Sequence, residues 1–123
     1  MPTVLFVDDD PAILVTLPRM LRREPYEIVV AASAAQALEI LEGRTAEVVV
    51  SDQQMPGMRG TELLACVRQL YPRTIRIILT GEAGYAAPSD LGREVHCVLR
   101  KPATAQEIKA AIADALRTVT GTG

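Results

Sequence analysis

The stretch TVLFVDDDPA, Thr3 to Ala12, passes from five β-favouring residues into three consecutive carboxylates and then a proline. An apolar run without polar alternation is the pattern of a parallel strand buried on both faces. Asp10 followed by Pro11 is an N-cap with proline at the first helical position, so a helix starts immediately behind the acids. A strand that delivers acids to the start of a helix is the opening half of a β-α-β unit. Two unit charges about 4 Å apart repel by roughly 4 kcal/mol at an effective dielectric near 20. Asp8 and Asp9 therefore either gather around a positive charge or lie in a solvated turn, whereas Asp10 is explained as a cap.

The same alternation continues along the chain. Further β-branched runs occur at Glu27–Ala31, Glu47–Ser51, Ile75–Leu79 and Val95–Leu99. Between them, helical spacing links Ile13, Leu14, Leu17, Met20 and Leu21, then Ala34, Leu38 and Leu41, then Leu63, Leu64, Val67 and Leu70. After the fifth run it links Ile108, Ala111, Ile112 and Leu116. Ser33-x-x-Gln36 and Thr104-x-x-Glu107 have capping-box spacing, and Gly43 is placed to close the second helix. Five β-α repeats predict an α/β doubly wound domain: a five-stranded parallel sheet with helices on both faces. Pro18 interrupts the first helix and predicts a kink. The segment between Glu82 and Arg93, with Pro88 and two glycines, predicts a short or split fourth helix.

A chain of 123 residues is one domain's worth. With only one Phe, three Tyr and no Trp, the core must be aliphatic. A formal net charge of −2 gives no general attraction to nucleic acid or acidic membranes. Arg22-Arg23 and Arg73/Arg76 read as solvated helix-end and loop charges. Cys66 and Cys97 lack the spacing of a zinc site and read as reduced thiols of a cytoplasmic protein. His96 and Cys97 alternate along the fifth strand and have no catalytic role. The N-terminus lacks the basic and apolar regions of a signal peptide, and no apolar run reaches membrane-spanning length.

In a doubly wound sheet, ligands bind at the carboxyl ends of the strands. Strand 1 ends in Asp8-Asp9-Asp10, strand 3 in Ser51-Asp52 followed by QQMPGMRG, strand 4 in Thr80-Gly81, and strand 5 in Arg100-Lys101-Pro102. Acids, a hydroxyl and a lysine at one sheet edge suit phosphoryl transfer with a hard divalent cation. Mg²⁺ prefers oxygen ligands, and a carboxylate is a competent nucleophile that forms an acyl phosphate. Lysine and threonine would hold the phosphoryl oxygens.

These segments (VDDDP, SDQQMPGMRG, ILTG and RKP, in this order across nearly the whole chain) resemble those of a two-component response regulator receiver domain of the chemotaxis-regulator type. The resemblance implies a flavodoxin-like (βα)5 fold with strand order 2-1-3-4-5. It makes Asp52 the phosphoacceptor for a histidine kinase or phosphotransfer protein. Asp9 and Asp52 would bind Mg²⁺ (or Mn²⁺) directly with the backbone carbonyl of Gln54, and Asp8 through a water. Lys101 would pair with the phosphoryl group, Thr80 would swing onto it, and Gly81 would leave it room. The Lys101-Pro102 peptide would be cis.

One position departs from the family pattern: Val98 stands where receivers commonly carry Tyr or Phe, and Tyr85 is the candidate substitute. The implied protein is a signalling domain that catalyses only its own phosphorylation and dephosphorylation, with an output domain or downstream protein as its target. Residues 1–118 are expected to form the domain and 119–123 a flexible tail or the start of a linker. Two other readings stay open here. A haloacid-dehalogenase-like phosphohydrolase also starts with Asp-x-Asp after strand 1, but requires a later acidic pair that only Glu107 and Asp114 could supply. An unphosphorylated pseudo-receiver would share the fold, and Val98 keeps it in view.

Overall fold

A computed structural model describes residues 1–81 and 95–120, the side chains of 119 and 120 excepted. Five strands are described: β1 (Thr3–Val7), β2 (Glu27–Ala31), β3 (Val48–Asp52), β4 (Ile75–Thr80) and β5 (Cys97–Arg100). Among the described residues there are four helices: α1 (Pro11–Met20), α2 (Ala34–Gly43), α3 (Gly60–Leu70) and α4 (Ala105–Thr120). The strands form one parallel sheet in the order β2-β1-β3-β4-β5. The expected fourth helix, with Tyr85 and Pro88, lies outside the described residues.

Side-chain alternation along the central strands divides the core in two. Leu5, Val7, Val49 and Ile78 face one layer and pack with Ala37, Leu41, Leu63 and Val67 of α2 and α3. Val4, Phe6, Val48, Val50, Ile77 and Leu79 face the other, against Leu17 of α1 and Ile108 and Ile112 of α4. All five residues of β1 and of β3 are buried, as expected of central strands covered on both faces, and this includes the polar Ser51 and Asp52 at the end of β3. The carboxyl ends of β1 and β3, adjacent in the sheet, are thereby held side by side.

Local signals act as their chemistry dictates. Asp10 caps α1 by accepting the Ala12 N–H at 2.9 Å. Thr104 and Glu107 form a reciprocal capping box: Glu107 accepts the Thr104 N–H, and Thr104 Oγ1 accepts the Glu107 N–H. The Ser33 box is incomplete, because Gln36 reaches back to the N–H of Ala32 instead of Ser33. Pro18 stands inside α1, which ends soon after at Met20. Gly43 is the last helical residue of α2, without the positive φ of a glycine cap; Arg44 is the C-cap. α4 crosses the boundary expected at residue 118 and continues to Thr120.

Several expectations need correction. Arg76 is not a solvated loop charge: it is buried within β4, with Nη1 donating to the Thr74 carbonyl at 3.1 Å. His96 lies outside the strand, because its imidazole takes the place of a ladder acceptor. Nδ1 accepts the Arg76 N–H at 3.0 Å, while the His96 N–H donates to the Arg76 carbonyl at 2.8 Å. Burial and the Arg76 guanidinium both push the His96 pKa below its ordinary value, in keeping with an unprotonated Nδ1. Hence β5 starts at Cys97 and not at Val95. Leu70, on the expected apolar face of α3, is 62% exposed because the helix ends there, beyond the sheet's cover.

Candidate phosphoryl-transfer and metal site

The site is built where β1 and β3 stop. Asp8 directly follows β1, its N–H tied to the Ala31 carbonyl of β2 at 3.1 Å. Asp52 is the last residue of β3, opposite Leu79 of β4 in register. Both are buried despite their charge, whereas Asp9 is exposed at the rim. One carboxylate oxygen from each of Asp8, Asp9 and Asp52 lies within 4.8 Å of the others. At that separation, with an effective dielectric near 20, a pair of ionised carboxylates repels by about 3 kcal/mol.

The surroundings answer this charge only in part. Lys101, immediately after β5, brings Nζ to 2.7 Å from Asp52 Oδ1. That oxygen is buried and makes no hydrogen bond, so the ammonium is its partner among the described residues. Asp8 Oδ1 accepts the Asp10 N–H at 2.9 Å. Its pKa is nevertheless raised above the ordinary carboxylate value: burial is the largest cause, and Asp52 and Asp9 add repulsion. The Asp10 N–H and Lys101 pull it the other way.

Three convergent carboxylates facing one ammonium form a site under-supplied with positive charge. The donors are all hard oxygens, with no sulfur or imidazole, which suits Mg²⁺ or Mn²⁺ and not zinc. The chain therefore fits a hard divalent cation. A cleft of about 660 Å³ opens beside the carboxylates, between Ile13 and Leu17 of α1 and Ile108 of α4.

Asp8, Asp9, Asp52 and Lys101 are thus brought together. Thr80 is buried at the end of β4, where its carbonyl accepts the Lys101 N–H at 2.9 Å, but neither it nor Gly81 lines the cleft. Among the described residues, a Cβ on Gly81 would meet Lys101 Cβ at 3.8 Å, an ordinary contact. Gln54 is exposed at the start of the loop after β3. The Lys101-Pro102 peptide is cis. Val98 is half-buried and packs on the α2/α3 side of the sheet.

Sequence reasoning missed Gly60, where a Cβ would stand 2.3 Å from the Asp52 carbonyl oxygen and 2.7 Å from Ile78 Cδ1. It also missed Gln53, a fully buried amide between the end of β3 and α3. Their spacing after Asp52 was visible, but only the chain reversal shows what each one touches.

Known proteins resemble the chain in sequence and in structure. The profile of the response regulator receiver domain matches residues 4–113. The transcriptional regulatory protein GlrR of Escherichia coli K12 is 35% identical over 114 residues, which cover 92% of this chain and 26% of that protein. This chain thus spans about a quarter of the length of that curated relative. A CheY-like response regulator receiver domain protein from Methanospirillum hungatei superposes with a TM-score of 0.88 at 30% identity, covering 100% of this chain and 99% of that one. The response regulator protein TrrA of Thermotoga maritima, solved with Mg²⁺ and BeF, superposes at 0.83 with 28% identity, over 94% of this chain and 99% of that one. These likenesses do not favour the phosphohydrolase or pseudo-receiver readings. With its 2-1-3-4-5 sheet and acidic strand ends, the chain belongs to the response regulator receiver domain family, the phosphoacceptor domains of two-component signalling.

Proposed function

We propose that Asp52 is the phosphoacceptor of this receiver domain and takes its phosphoryl group from a histidine kinase or a phosphotransfer protein. The observation that carries this reading is the placement of Asp52. It is a buried carboxylate on a central strand, within 4.8 Å of two other carboxylates and 2.7 Å from a lysine ammonium, beside an open cleft. An Asp52 carboxylate oxygen attacks phosphorus, the O–P bond forms as the P–N bond of phosphohistidine breaks, and the imidazole leaves with the electron pair. Catalysis is a matter of positioning and charge.

Asp9, Asp52 and the Gln54 carbonyl would hold a divalent cation, Mg²⁺ or Mn²⁺, with Asp8 acting through a water. When bound, the cation supplies the positive charge that offsets the carboxylates and the phosphoryl oxygens. Lys101 exchanges its contact with Asp52 for one with a phosphoryl oxygen, and Thr80 turns its hydroxyl onto another. Gly81 leaves space beside them. With Val98 in place of the usual aromatic, the response runs through Thr80 and Lys101.

The domain, residues 1–118 extended by the end of α4 to Thr120, acts as a cytoplasmic signalling module and not as an enzyme on other substrates. It passes its state to an output domain or a downstream protein and does not itself bind nucleic acid or membrane. Among the described residues no helix is long and apolar enough to cross a membrane.

Intact-mass measurement after incubation with Mg²⁺ and acetyl phosphate tests the reading. One added phosphoryl group in the wild type and none in Asp52→Asn is expected. Catalytic turnover of the donor that depends on Asp8, or no adduct under any Mg²⁺ condition, would overturn it.

A further inference from the structure

Gln53 follows the acceptor and is completely buried. An amide in such a place is unfavourable unless its polar atoms are satisfied, so packing alone would select an aliphatic residue. Its backbone is already engaged: the N–H donates to the Leu79 carbonyl at 2.9 Å, and the carbonyl accepts the Gly60 N–H at 3.2 Å. The side chain spans the gap to the next helix. Oε1 accepts the Thr61 N–H at 2.8 Å, and Nε2 donates to Thr61 Oγ1 at 3.2 Å.

The Thr61 N–H is one of the first-turn donors of α3 that have no acceptor within the helix. Such donors are ordinarily capped by a side-chain oxygen from the residue preceding the helix, but Arg59 in that position carries none. The cap oxygen comes instead from the residue beside Asp52. Capping from the sheet fastens α3 to the acceptor strand, and Gly60, whose Cβ would collide with the Asp52 carbonyl, makes that contact close. Both ends of the 54–59 loop are thereby fixed at one residue, and the loop begins with Gln54, the proposed carbonyl ligand.

We propose that Gln53 is a positioning residue: through its paired hydrogen bonds to Thr61 it holds the acceptor strand and the Gln54 carbonyl in register for the divalent cation. This rests on the reading of Asp52 as the metal-assisted acceptor. Three variants test it: Gln53→Met, of similar length without the amide; Thr61→Val, without the hydroxyl; and Thr61→Ser, which restores it. The readouts are Mg²⁺ affinity by calorimetry, the acetyl-phosphate reaction rate against Mg²⁺ concentration, and Tm.

Gln53→Met should bind Mg²⁺ about tenfold more weakly, as is usual when support of a ligand set is lost. Its phosphorylation rate should recover at saturating Mg²⁺. Thr61→Val should shift in the same direction and Thr61→Ser should match the wild type. Should Gln53→Met not fold, the Thr61 pair decides alone. Lowered Tm in Gln53→Met and Thr61→Val with unchanged Mg²⁺ affinity would reduce Gln53 to a structural clamp and overturn the proposal. A wild-type chain that neither binds Mg²⁺ nor gains a phosphoryl group would overturn the acceptor reading and this inference with it; wild-type binding with unaffected variants would overturn this inference alone.

Discussion

β3 ends in Asp52 and β5 is followed at once by Lys101, the two opposite charges that meet at 2.7 Å, yet the strands are built differently. β3 is central, buried at every residue, and continues into a loop pinned by Gln53, Gly60 and Thr61. β5 is an edge strand among the described residues, half-exposed along most of its length, and the Lys101 side chain is 41% exposed. The negative partner is fixed by packing, and the positive partner sits where a long side chain retains freedom. That asymmetry suits the roles proposed for the pair, a fixed acceptor and a counter-charge that changes partner.

The rigid side is the easier to break. Gly60→Ala drives a Cβ into backbone, which cannot yield as a flexible side chain could, so urea unfolding should show a loss of about 2–3 kcal/mol. The matched control is Gly43→Ala at the end of α2, where a Cβ meets nothing within 4 Å among the described residues; it should be neutral or stabilise by up to about 1 kcal/mol. Equal effects at the two glycines would sink the distinction between a packed acceptor end and an open helix end.

On the exposed side, Lys101→Ala should destabilise the metal-free protein by only about 1 kcal/mol, since solvent already screens the lysine. Mg²⁺ binding should largely survive, while the conformational response to phosphorylation, followed by NMR shifts around Thr80, should be blunted. An unchanged response would remove Lys101 from its assigned role.

Asp8 sharpens the same contrast through pH. Its folded-state pKa is raised, so the folded chain holds a proton that the unfolded chain has lost between the ordinary value of 3.8 and the raised one. This group's contribution to stability therefore falls as pH rises through that window, and the penalty is complete above it. Asp8→Asn should be more stable than wild type at neutral pH without Mg²⁺, with the advantage shrinking on acidification, and should bind Mg²⁺ more weakly. A variant less stable than wild type at neutral pH would contradict the charge-crowding account.

The change with least consequence for the site is at Thr104→Ala, which removes one half of the α4 capping box. Thermal unfolding should report a loss of about 1 kcal/mol with Mg²⁺ affinity unchanged.

What could be read from the sequence divides along the same line. Strands β1 and β2 were legible to the residue because continuous apolar runs between turn signals admit one reading. Asp8, Asp9, Asp52 and Lys101 were legible as a group because strand ends in a parallel sheet share one edge. Arg76 was misjudged because its charge was weighed without its strand neighbours, and His96 because a side-chain nitrogen can replace a backbone acceptor at a strand's start. Gln53 and Gly60 were illegible for another reason: their partners, Thr61 and the Asp52 carbonyl, become neighbours only after the chain has turned back on itself.

The identity of the acceptor is tested most directly by trapping the acyl phosphate. Borohydride reduction after reaction with acetyl phosphate and Mg²⁺ converts a phosphorylated aspartate to homoserine, which peptide mass mapping then locates. The account predicts homoserine at Asp52 and at no other position. Homoserine at Asp8 or Asp9, or none anywhere while Mg²⁺ is bound, would contradict it.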